Sequence, residues 1–416
     1  MDNLTHTLIG AVAGETLART ARARPGGLPE SARRSLFVVV SAVGSNLPDI
    51  DLAWTYRGFS GSSLGYLLQH RGHTHTLLGC AALALLLHAA GLLWARWRGH
   101  AMVRGDRLAL GGIASFAVFG HLGMDALNSY GVHPFWPWNN RWYYGDSLFI
   151  VEPLYWLAAL PLLFIVRTTL ARVVLGAAAL VSILATGVLQ RAQPLHVVGV
   201  VVIAIALTVI GRRSTPRTAA WVAASAMLLL TGGFVAASHV ARERLQAMAV
   251  EDFPTSSTLD AVLSPGPTNP GCWEVLLLQT DAGAYIARRG SLAIGAAPHA
   301  DQCSRVPQGQ AGTTPTYPVA APAREALRWI DEASMPAGGL AQLARSDCAA
   351  RELLQFARAP FAVKREGGWS LSDLRFDRTG GAGFAAVALP ATLDTPCRFN
   401  APWTPPRAAD LLARGE

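Results

Sequence analysis

The hydrophobic positions of the chain are concentrated in long apolar stretches separated by short polar segments. Six stretches come close to the ~20 residues that a helix needs to cross a ~30 Å hydrocarbon core, and they cover residues 76–95, 108–127, 148–166, 173–189, 195–211 and 219–237. Two shorter apolar pieces, residues 4–18 and 36–47, precede them, and we expect these to form a hairpin packed into the bundle. The pattern therefore predicts an α-helical integral membrane bundle of about six full spans with a short N-terminal helical hairpin.

A different pattern begins near residue 251. Residues 253–271 are rich in Pro, Gly, Ser and Thr, and alternating runs at 273–280 and 285–294 flank a turn, which predicts a β-hairpin. Helical patterning follows near 323–332 and 340–357, and strand-like runs lie at 361–366, 369–376 and 383–389. We therefore predict a C-terminal α+β domain outside the membrane. The predicted regions are a membrane domain with the candidate site (1–155), additional transmembrane helices (156–240), a linker (241–271) and the outer domain (272–416).

The composition agrees with a membrane protein. Of the 416 residues, 51% are hydrophobic and 15% are charged, whereas soluble domains contain about 25% charged residues. This disfavours an ordinary cytosolic globule, and the apolar content excludes intrinsic disorder. The net charge of +8 comes from arginine, since Lys364 is the only lysine. The arginines form short clusters between the apolar stretches rather than one basic face, so we expect a lipid bilayer, and no nucleic acid, as a partner.

The arginines also predict the orientation of the bundle. Arginine-rich segments alternate with arginine-poor ones along the chain, and they lie at residues 19–34, 96–107, 167–172 and 212–217. By the positive-inside rule this side is cytoplasmic. The segments around 48–75 and 128–147, and everything after residue 238, then face outward. We therefore expect a multi-pass protein of the bacterial inner membrane with a periplasmic C-terminal domain.

Cysteine positions provide an independent test of this orientation. Cys80 lies in a predicted span, where a small apolar thiol is usually a packing residue, and the other four are Cys272, Cys303, Cys348 and Cys397. Four cysteines in one exported domain favour two disulfides, whereas in the cytosol they would be reduced or bind metal. We expect two disulfides, with the pairing open among three possibilities.

Ionisable residues recur at the predicted outward ends of the first apolar segments, near residue 6 and at 49–51, 70–75 and 121–128. Such residues are costly at membrane depth and normally face a cavity or a partner. His121 and Asp125 are four residues apart, which places them on one face of a helix. The predicted topology brings all four segments to one level, and this predicts a shared polar site.

The residue types at this level are those of a metal site. Imidazole nitrogens and carboxylate oxygens bind Zn²⁺, Mn²⁺ or Fe²⁺, and helical bundles assemble metal sites from several helices. We predict a divalent metal cofactor, with zinc ahead of manganese or iron, and the candidate ligands are His6, Asp49, Asp51, His70, His75, His121 and Asp125. Asp49 or Asp51 is the candidate general base, and Arg71 is the candidate binder of a phosphate or another anionic group.

Each of these segments alone has a simpler interpretation. A single histidine in a span, such as His88 or His196, is more often a packed or interfacial side chain than a ligand. Pro48 and the two aspartates could form a polar helix terminus, and residues 70–75 could form an interfacial loop. The shared site is favoured because the simpler interpretations require four separate coincidences on one side of the membrane.

Four segments resemble the successive motifs of a known family. They are Thr5-His6, Leu-Pro-Asp-Ile-Asp at 47–51, His-Arg-Gly-His-Thr-His at 70–75, and His-Leu-Gly-Met-Asp-Ala-Leu-Asn-Ser-Tyr-Gly at 121–131. The family is that of the membrane-bound metal-dependent hydrolases of the YdjM/YbcI/YfhP type, the DUF457 family. The resemblance covers about residues 1–155, and it implies a metal-dependent hydrolase. Because the family pattern is H-R-G-x-T-H, it implies that His73 is a weaker ligand candidate than its two neighbouring histidines. Glu152 stands where an Asp before Pro is expected.

A more distant similarity, carried by His-x-x-x-Asp and scattered His and Asp residues, is to the zinc-dependent phospholipase C and P1-type nucleases. It implies phosphoesters rather than peptides as substrates. The chain departs from those enzymes at its start, where Met1-Asp2 replaces their N-terminal tryptophan ligand.

Two hypotheses of different classes follow. The first is a metal-dependent hydrolase that acts on a phosphoester or lipid-linked substrate at the outer face of the inner membrane. The second is a non-enzymatic transporter or scaffold in which the same cluster holds a structural metal or conducts an ion. A transporter would have polar residues in its later spans, and the nearly featureless spans after residue 173 disfavour it. The patterns identify neither the substrate nor a protein partner.

Overall fold

The first 252 residues form a bundle of helices. The computed structural model describes residues 1–21, 25–55, 63–190, 193–295, 299–303, 316–322, 324–376, 384–389, 399 and 401–413. The helices of the bundle are α1 (Asn3–Thr20), α2 (Glu30–Gly44), α3 (Leu52–Thr55), α4 (Ser63–Gln69), α5 (Leu77–Trp97), α6 (Arg104–Ala126), α7 (Leu154–Ala158), α8 (Thr169–Leu189), α9 (Pro194–Arg213) and α10 (Pro216–Asp252). Short 3₁₀ turns lie at Leu47–Asp51, His73–His75 and Leu160–Phe164.

Five of these helices are long and apolar enough to cross a membrane, namely α5, α6, α8, α9 and α10. They coincide with five of the six predicted spans. The predicted span at 148–166 is instead divided into the short helix α7 and the turn Leu160–Phe164. Pro153 precedes the first piece and Pro161 lies within the second. Because proline lacks an N–H donor and its ring displaces the preceding turn, a continuous helix is disfavoured there.

The divided segment nevertheless follows the length of α1. At one end, the Asp2 N–H donates to the carbonyl of Ile150 at 3.0 Å. At the other end, Nη2 of Arg34 donates to the carbonyl of Ile165 at 2.8 Å and also binds Glu15. Asp2 and Glu15 are separated by about 20 Å of helix at 1.5 Å per residue. The segment therefore crosses much of the bundle without forming one long helix.

The predicted N-terminal hairpin is present as α1 and α2. The two backbones touch, because a Cβ at Gly14 would lie 2.7 Å from Cα of Val38 and a Cβ at Gly10 would lie 2.5 Å from the carbonyl oxygen of Ser41. Only glycine permits so close an approach. Phe37 on α2 is fully buried against α6, so the hairpin is an integral part of the bundle.

The region after α10 is an α+β domain. A four-stranded antiparallel sheet has the order β1-β2-β3-β4, and a three-stranded sheet has the order β5-β6-β7. The strands are β1 (Ser257–Gly266), β2 (Asn269–Asp281), β3 (Ala284–Ala293), β4 (Leu327–Pro336), β5 (Pro360–Arg365), β6 (Gly368–Asp373) and β7 (Ala386–Leu389). The helices are α11 (Ala300–Cys303), α12 (Gly339–Ser346) and α13 (Cys348–Leu354). The predicted hairpin is β2–β3, and the predicted helical region at 340–357 contains α12 and α13.

Two predicted elements differ from the structure. Residues 241–271, which we predicted as a linker, contain the last turns of α10 and all of β1. Residues 323–332, which we predicted as a helix, contribute to strand β4. The charges that suggested a helix in β4 form cross-strand pairs with β3, where Arg288 binds Glu332 at 2.7 Å and Arg289 binds Asp331. Tertiary pairing therefore overrides the local helical pattern.

The α+β domain, which keeps the name outer domain from its predicted side, shares a hydrophobic core with the bundle. Leu67 and Leu68 of α4 and Tyr130 from the loop after α6 pack in one cluster with Leu353 and Phe356. A buried ion pair joins the same parts, since Arg358 binds both carboxylate oxygens of Asp146 at 2.8 and 2.9 Å. The outer domain is therefore docked on the segments that contain the candidate site.

One disulfide joins Cys272 to Cys303, with the Cα atoms 5.2 Å apart. Cys348 is disulfide-bonded as well, and Cys397 lies outside the described residues. Cys80 is a buried free thiol in α5. Disulfide bonding in the outer domain agrees with the expectation for an exported domain.

We predict that the α5–α6 turn and the end of α10 face opposite sides of the membrane. In the structure they lie at opposite ends of the bundle, because Ser238 on α10 contacts the Ser147 hydroxyl at 2.8 Å, and the Ser147 N–H donates to Leu127 at the C-terminal end of α6. A topology reporter inserted at residue 100 should report the cytoplasm, and one fused after residue 253 should report the periplasm. The orientation derived from the arginines is wrong if both reporters give the same side.

Candidate metal centre

Four separate segments bring the predicted ligands to one place. His6 lies on α1, and Asp49 lies on the 3₁₀ turn that follows α2. His75 ends the turn before α5, while His121 and Asp125 occupy one face of the last turns of α6. All are less than one-tenth exposed. The predicted convergence of these segments is therefore present.

Four of these residues could hold one metal ion. Asp49, His75, His121 and Asp125 each offer a ligand atom, and these atoms all lie within 4.8 Å of one another. Nε2 of His75 is 3.3 Å from Oδ1 of Asp49 and 3.4 Å from Oδ2 of Asp125. Nε2 of His121 is 3.5 and 3.6 Å from the same two oxygens. Two nitrogens and two oxygens form a donor set that suits zinc and similar divalent ions.

The hydrogen bonds at the Nδ1 atoms of His75 and His121 determine which nitrogen of each ring can bind a cation. Nδ1 of His121 lies 2.7 Å from the carbonyl oxygen of Ser45, so it must carry the proton and donate it. The Thr74 hydroxyl donates to Asp51 at 2.9 Å, which leaves its oxygen to accept from Nδ1 of His75 at 3.0 Å. In the neutral rings both Nε2 atoms therefore present lone pairs.

These two lone pairs point toward each other, because the Nε2 atoms of His75 and His121 are only 3.0 Å apart. In addition, Oδ2 of Asp125 is buried and accepts no well-aligned hydrogen bond from the described residues, although Nε of Arg71 lies 2.9 Å from it. A cation satisfies both features, since it accepts electron pairs from each nitrogen and from the carboxylate. The residues present thus fit a divalent metal.

A second group of possible ligands shares Asp49 with the first. Asp49, Asp51 and His70 also offer ligand atoms within 4.8 Å of one another. Asp51 mainly holds the neighbouring loop, since it accepts from Nδ1 of His70 at 2.9 Å and from the backbone N–H of Arg71 at 3.0 Å. Burial opposes ionisation of Asp51, but hydrogen bonds from His70 and His75 outweigh it and hold the pKa of its carboxyl below the usual range.

Asp49 has the same balance. Burial opposes its ionisation, but the His121 and His75 rings outweigh this effect when they are protonated and donate to it, and they then hold the pKa of the Asp49 carboxyl well below its usual range. Both aspartates are therefore ionised at neutral pH. Because Asp49 belongs to both groups, its carboxylate could bridge two cations.

His6 and Arg71 lie beside these groups. The His6 ring stacks on His121 at 3.8 Å and places Nε2 3.3 Å from Oδ1 of Asp125, an oxygen that the Met1 amine also contacts. The Arg71 guanidinium is buried, with Nε 2.9 Å from Oδ2 of Asp125 and Nη1 donating to Asn128 at 3.0 Å. His6 is absent from both ligand groups, and Arg71 contacts protein groups at the edge of the cluster.

Residues far along the chain support the loop that carries His70 and His75. The His133 ring lies between the rings of Trp142 and Trp403, at centroid distances of 3.6 and 3.8 Å. Its Nδ1 donates to the carbonyl of Arg71 at 3.2 Å. Nε1 of Trp403 donates to the carbonyl of Leu68 at 2.6 Å. Sequence spacing contains no signal for these contacts, because Trp403 belongs to the outer domain.

The loop itself is tightly packed beneath Trp403. A Cβ at Gly72 would lie 2.7 Å from the carbonyl oxygen of Gln69 and 3.2 Å from the Trp403 ring. Arg71 has a positive φ of 59°, a conformation that is uncommon for residues other than glycine. The surrounding contacts therefore hold the loop in a specific conformation beside the candidate metal ligands.

A family model described as YdjM inner membrane protein matches residues 1–240. The chain belongs to this family, the DUF457 family. The match confirms the resemblance carried by the four motifs and extends beyond them through most of α10. Neither the curated proteins nor the solved structures contain a chain that matches this one.

We predict that Trp403→Ala destabilises the protein. Trp403 is 3% exposed, and the substitution removes both its stack on His133 and its hydrogen bond to Leu68. Truncation of a buried tryptophan to alanine typically lowers the free energy of unfolding by about 3–5 kcal/mol. Thermal unfolding in detergent should show a lower midpoint. Trp369→Ala is the matched control, because Trp369 is 39% exposed in the same domain. Equal unfolding midpoints for the two variants would contradict the role of Trp403 in supporting the loop.

We also predict that His133 makes stability depend on pH. Burial lowers the pKa of His133 to about 3 from 6.5, so the unfolded chain takes up a proton that the folded protein excludes. Stability must then fall as the pH drops from about 6.5 toward 3. Between pH 7 and pH 5 the unfolding midpoint of the parent should decrease more than that of His133→Asn, which keeps a donor toward Arg71. The same decrease in both proteins would refute this role.

Proposed function

We propose that this member of the YdjM family is a membrane-bound metal-dependent hydrolase that acts on a phosphoester or lipid-linked substrate at the outer face of the inner membrane. The observation that carries the proposal is the pair of Nε2 atoms of His75 and His121, which face each other at 3.0 Å beside two carboxylates. The other nitrogen of each ring has a hydrogen-bond partner. Such an arrangement is typical of ligands oriented for a metal ion.

The proposal assigns a divalent metal to this cluster, with zinc ahead of manganese or iron because histidine and carboxylate ligands suit all three. Asp49, His75, His121 and Asp125 would hold the ion. Such an ion supplies Lewis acidity and lowers the pKa of water. Asp51 positions the loop through its hydrogen bonds to His70 and Arg71.

The charged residues suit an anionic ester. The Arg71 guanidinium lies at the edge of the cluster over the Tyr130 ring, 4.7 Å from its centroid, where it could bind a phosphate oxygen. Oδ1 of Asp49 faces both Nε2 atoms, so the other oxygen of this carboxylate is the better candidate to accept a proton from water. Asp51 already accepts three hydrogen bonds, which suits a positioning role.

The location of the cluster supports a lipid-linked substrate. The ligands lie where α5 begins and α6 ends, at one end of two helices that could span a membrane. This is the level at which a lipid presents its head group, and the hydrocarbon of the same lipid would extend along the helices.

A structural metal site is the second candidate function. His121 and Asp125 are each 1% exposed, and residues of the outer domain pack over the motif loop. Complete burial is typical of closed structural sites, whereas catalytic sites keep a position open for water or substrate. This alternative shares the metal and the ligands, so activity must distinguish the two.

We predict that His121→Ala and Asp125→Asn each lower the metal content of the purified protein. The loss follows because each substitution removes a donor from a four-residue group and leaves the remaining ligands incomplete. Elemental analysis measures the metal, and hydrolysis of a chromogenic phosphodiester should fall in parallel. His239→Ala is the matched control, since His239 is exposed on α10.

Three outcomes separate the interpretations. Parallel loss of metal and hydrolysis in both ligand variants, with His239→Ala like the parent, supports the hydrolase. Loss of metal without hydrolysis of any phosphodiester or lipid phosphoester by the parent favours the structural site. Equal metal content in the parent and all three folded variants would show that the cluster does not hold a metal, and interhelical hydrogen bonding would then explain it.

A further inference from the structure

A groove between α5 and α6 begins at the arginine-rich end of the bundle and extends along both helices. It has a volume of about 580 Å³. Arg104 and Arg107 line one end, and Ala81, Leu85 and Phe119 line the other. None of the candidate metal ligands lines it. The groove is therefore a separate feature of the membrane domain.

The groove is long and has a gradient of polarity. From Arg104 to Phe119 it follows α6 for 15 residues, which is about 22 Å at 1.5 Å per residue. Gly112 opens its middle, since a Cβ placed there would have no neighbour within 4 Å. Leu85 is 69% exposed on α5, which is long and apolar enough to cross a membrane. A long apolar slot that opens to the bilayer suits an alkyl chain, and its basic end suits an anion.

The positive charge at the basic end is not neutralised by the described residues. Arg104 and Arg107 are exposed and form no ion pair with another residue in the described ranges. Arg107 uses Nε to donate to the Met102 carbonyl, which leaves its other guanidinium nitrogens for a ligand. Asp106 lies between them in sequence, but it is buried and accepts from the backbone N–H of Leu28.

A half-buried histidine lies between the two ends. His88 faces α6, where a Cβ at Gly111 would lie 3.3 Å from its Nδ1. That Nδ1 atom is buried and has no hydrogen-bond partner among the described residues. An unpaired polar atom at this depth is costly unless a ligand or water contacts it. The half-buried ring itself lines the groove below the arginines, where the glycerol esters of a phospholipid would lie.

We propose that this groove binds one anionic phospholipid. Its phosphate group contacts Arg104 and Arg107, and an acyl chain lies against Ala81, Leu85 and Phe119. Charge complementarity selects the head group, because basic pockets between membrane helices favour anionic lipids over zwitterionic ones. The site does not depend on the metal centre or on the proposed hydrolase activity.

The test compares two lipids with identical acyl chains on the full-length protein. Native mass spectrometry from detergent measures the retention of palmitoyl-oleoyl phosphatidylglycerol and of the corresponding phosphatidylcholine. The parent should retain one phosphatidylglycerol with an affinity about 25-fold higher than for phosphatidylcholine, since each of the two arginines contributes roughly a fivefold preference and the two factors multiply. Equal retention of the two lipids would overturn the proposal.

Two pairs of variants locate the lipid. The double variant Arg104→Gln/Arg107→Gln should reduce phosphatidylglycerol retention to the level of phosphatidylcholine. The control Arg96→Gln/Arg98→Gln removes the same charge from the same end of the bundle but outside the groove, and it should keep the preference for phosphatidylglycerol. Equal loss of phosphatidylglycerol retention in both double variants would indicate a general attraction to the basic surface and would overturn the proposal that the lipid binds in the groove.

Filling the groove tests the acyl-chain half of the proposal. Gly112→Leu places a side chain in the open space of the groove without altering charge, and it should abolish retention of both lipids. Gly176→Leu on α8 is the control, because a Cβ there also has no neighbour within 4 Å, and it should leave retention unchanged. The unfolding midpoint confirms that each variant is folded. Undiminished retention in a folded Gly112→Leu protein would contradict binding in the groove.

Discussion

The paired imidazoles and carboxylates at the end of α6 impose the constraint on which the rest of the structure depends. Two ionised aspartates and two lone-pair nitrogens in one buried place repel one another unless positive charge lies among them. The Arg71 guanidinium lies directly beside the Asp125 carboxylate, which His6 and the Met1 amine also contact, and a divalent cation among the four ligand atoms would complete the balance. Helices α1 and α6 and the two turns that carry Asp49 and His75 must therefore keep their relative positions for the charges to remain paired.

This constraint explains why so much of the chain is devoted to one loop. Asp51 accepts hydrogen bonds from two groups of the loop, the Arg71 N–H and the Thr74 hydroxyl. His133 and Trp403 hold it from the other side. The outer domain lies almost wholly beyond the part of the chain that the family model matches, residues 1–240. In this chain, an addition to the YdjM core thus packs directly on the loop that supplies two of the candidate ligands.

Sequence patterns predict the parts of this arrangement that depend on short spacing. The i, i+4 relation of His121 and Asp125 and the apolar lengths of α5, α6, α8, α9 and α10 are local, so they can be derived from the chain alone. The segment at 148–166 has the right apolar length, but its two prolines divide the helix. Strand β4 looked helical because its register with β3 depends on residues about 40 positions earlier.

The supporting contacts of the site could not be predicted for the same reason. The Ser45 carbonyl that orients His121 is a backbone group with no sequence signature, and Trp403 meets Leu68 across 335 residues. The four motifs indicate which residues belong to the site, whereas tertiary packing determines the orientation of each ring and thus which nitrogen can bind a cation.

The most direct test of a metal at the paired imidazoles is X-ray absorption spectroscopy of the full-length protein, purified without added metal. The edge identifies the element, and the fine structure identifies its neighbours. We expect a divalent metal with a first shell of nitrogen and oxygen only, at about 2.0–2.2 Å if the metal is zinc, together with the outer-shell scattering of two imidazole rings. A protein without bound metal, or a shell that contains sulfur or lacks imidazole, would contradict the account.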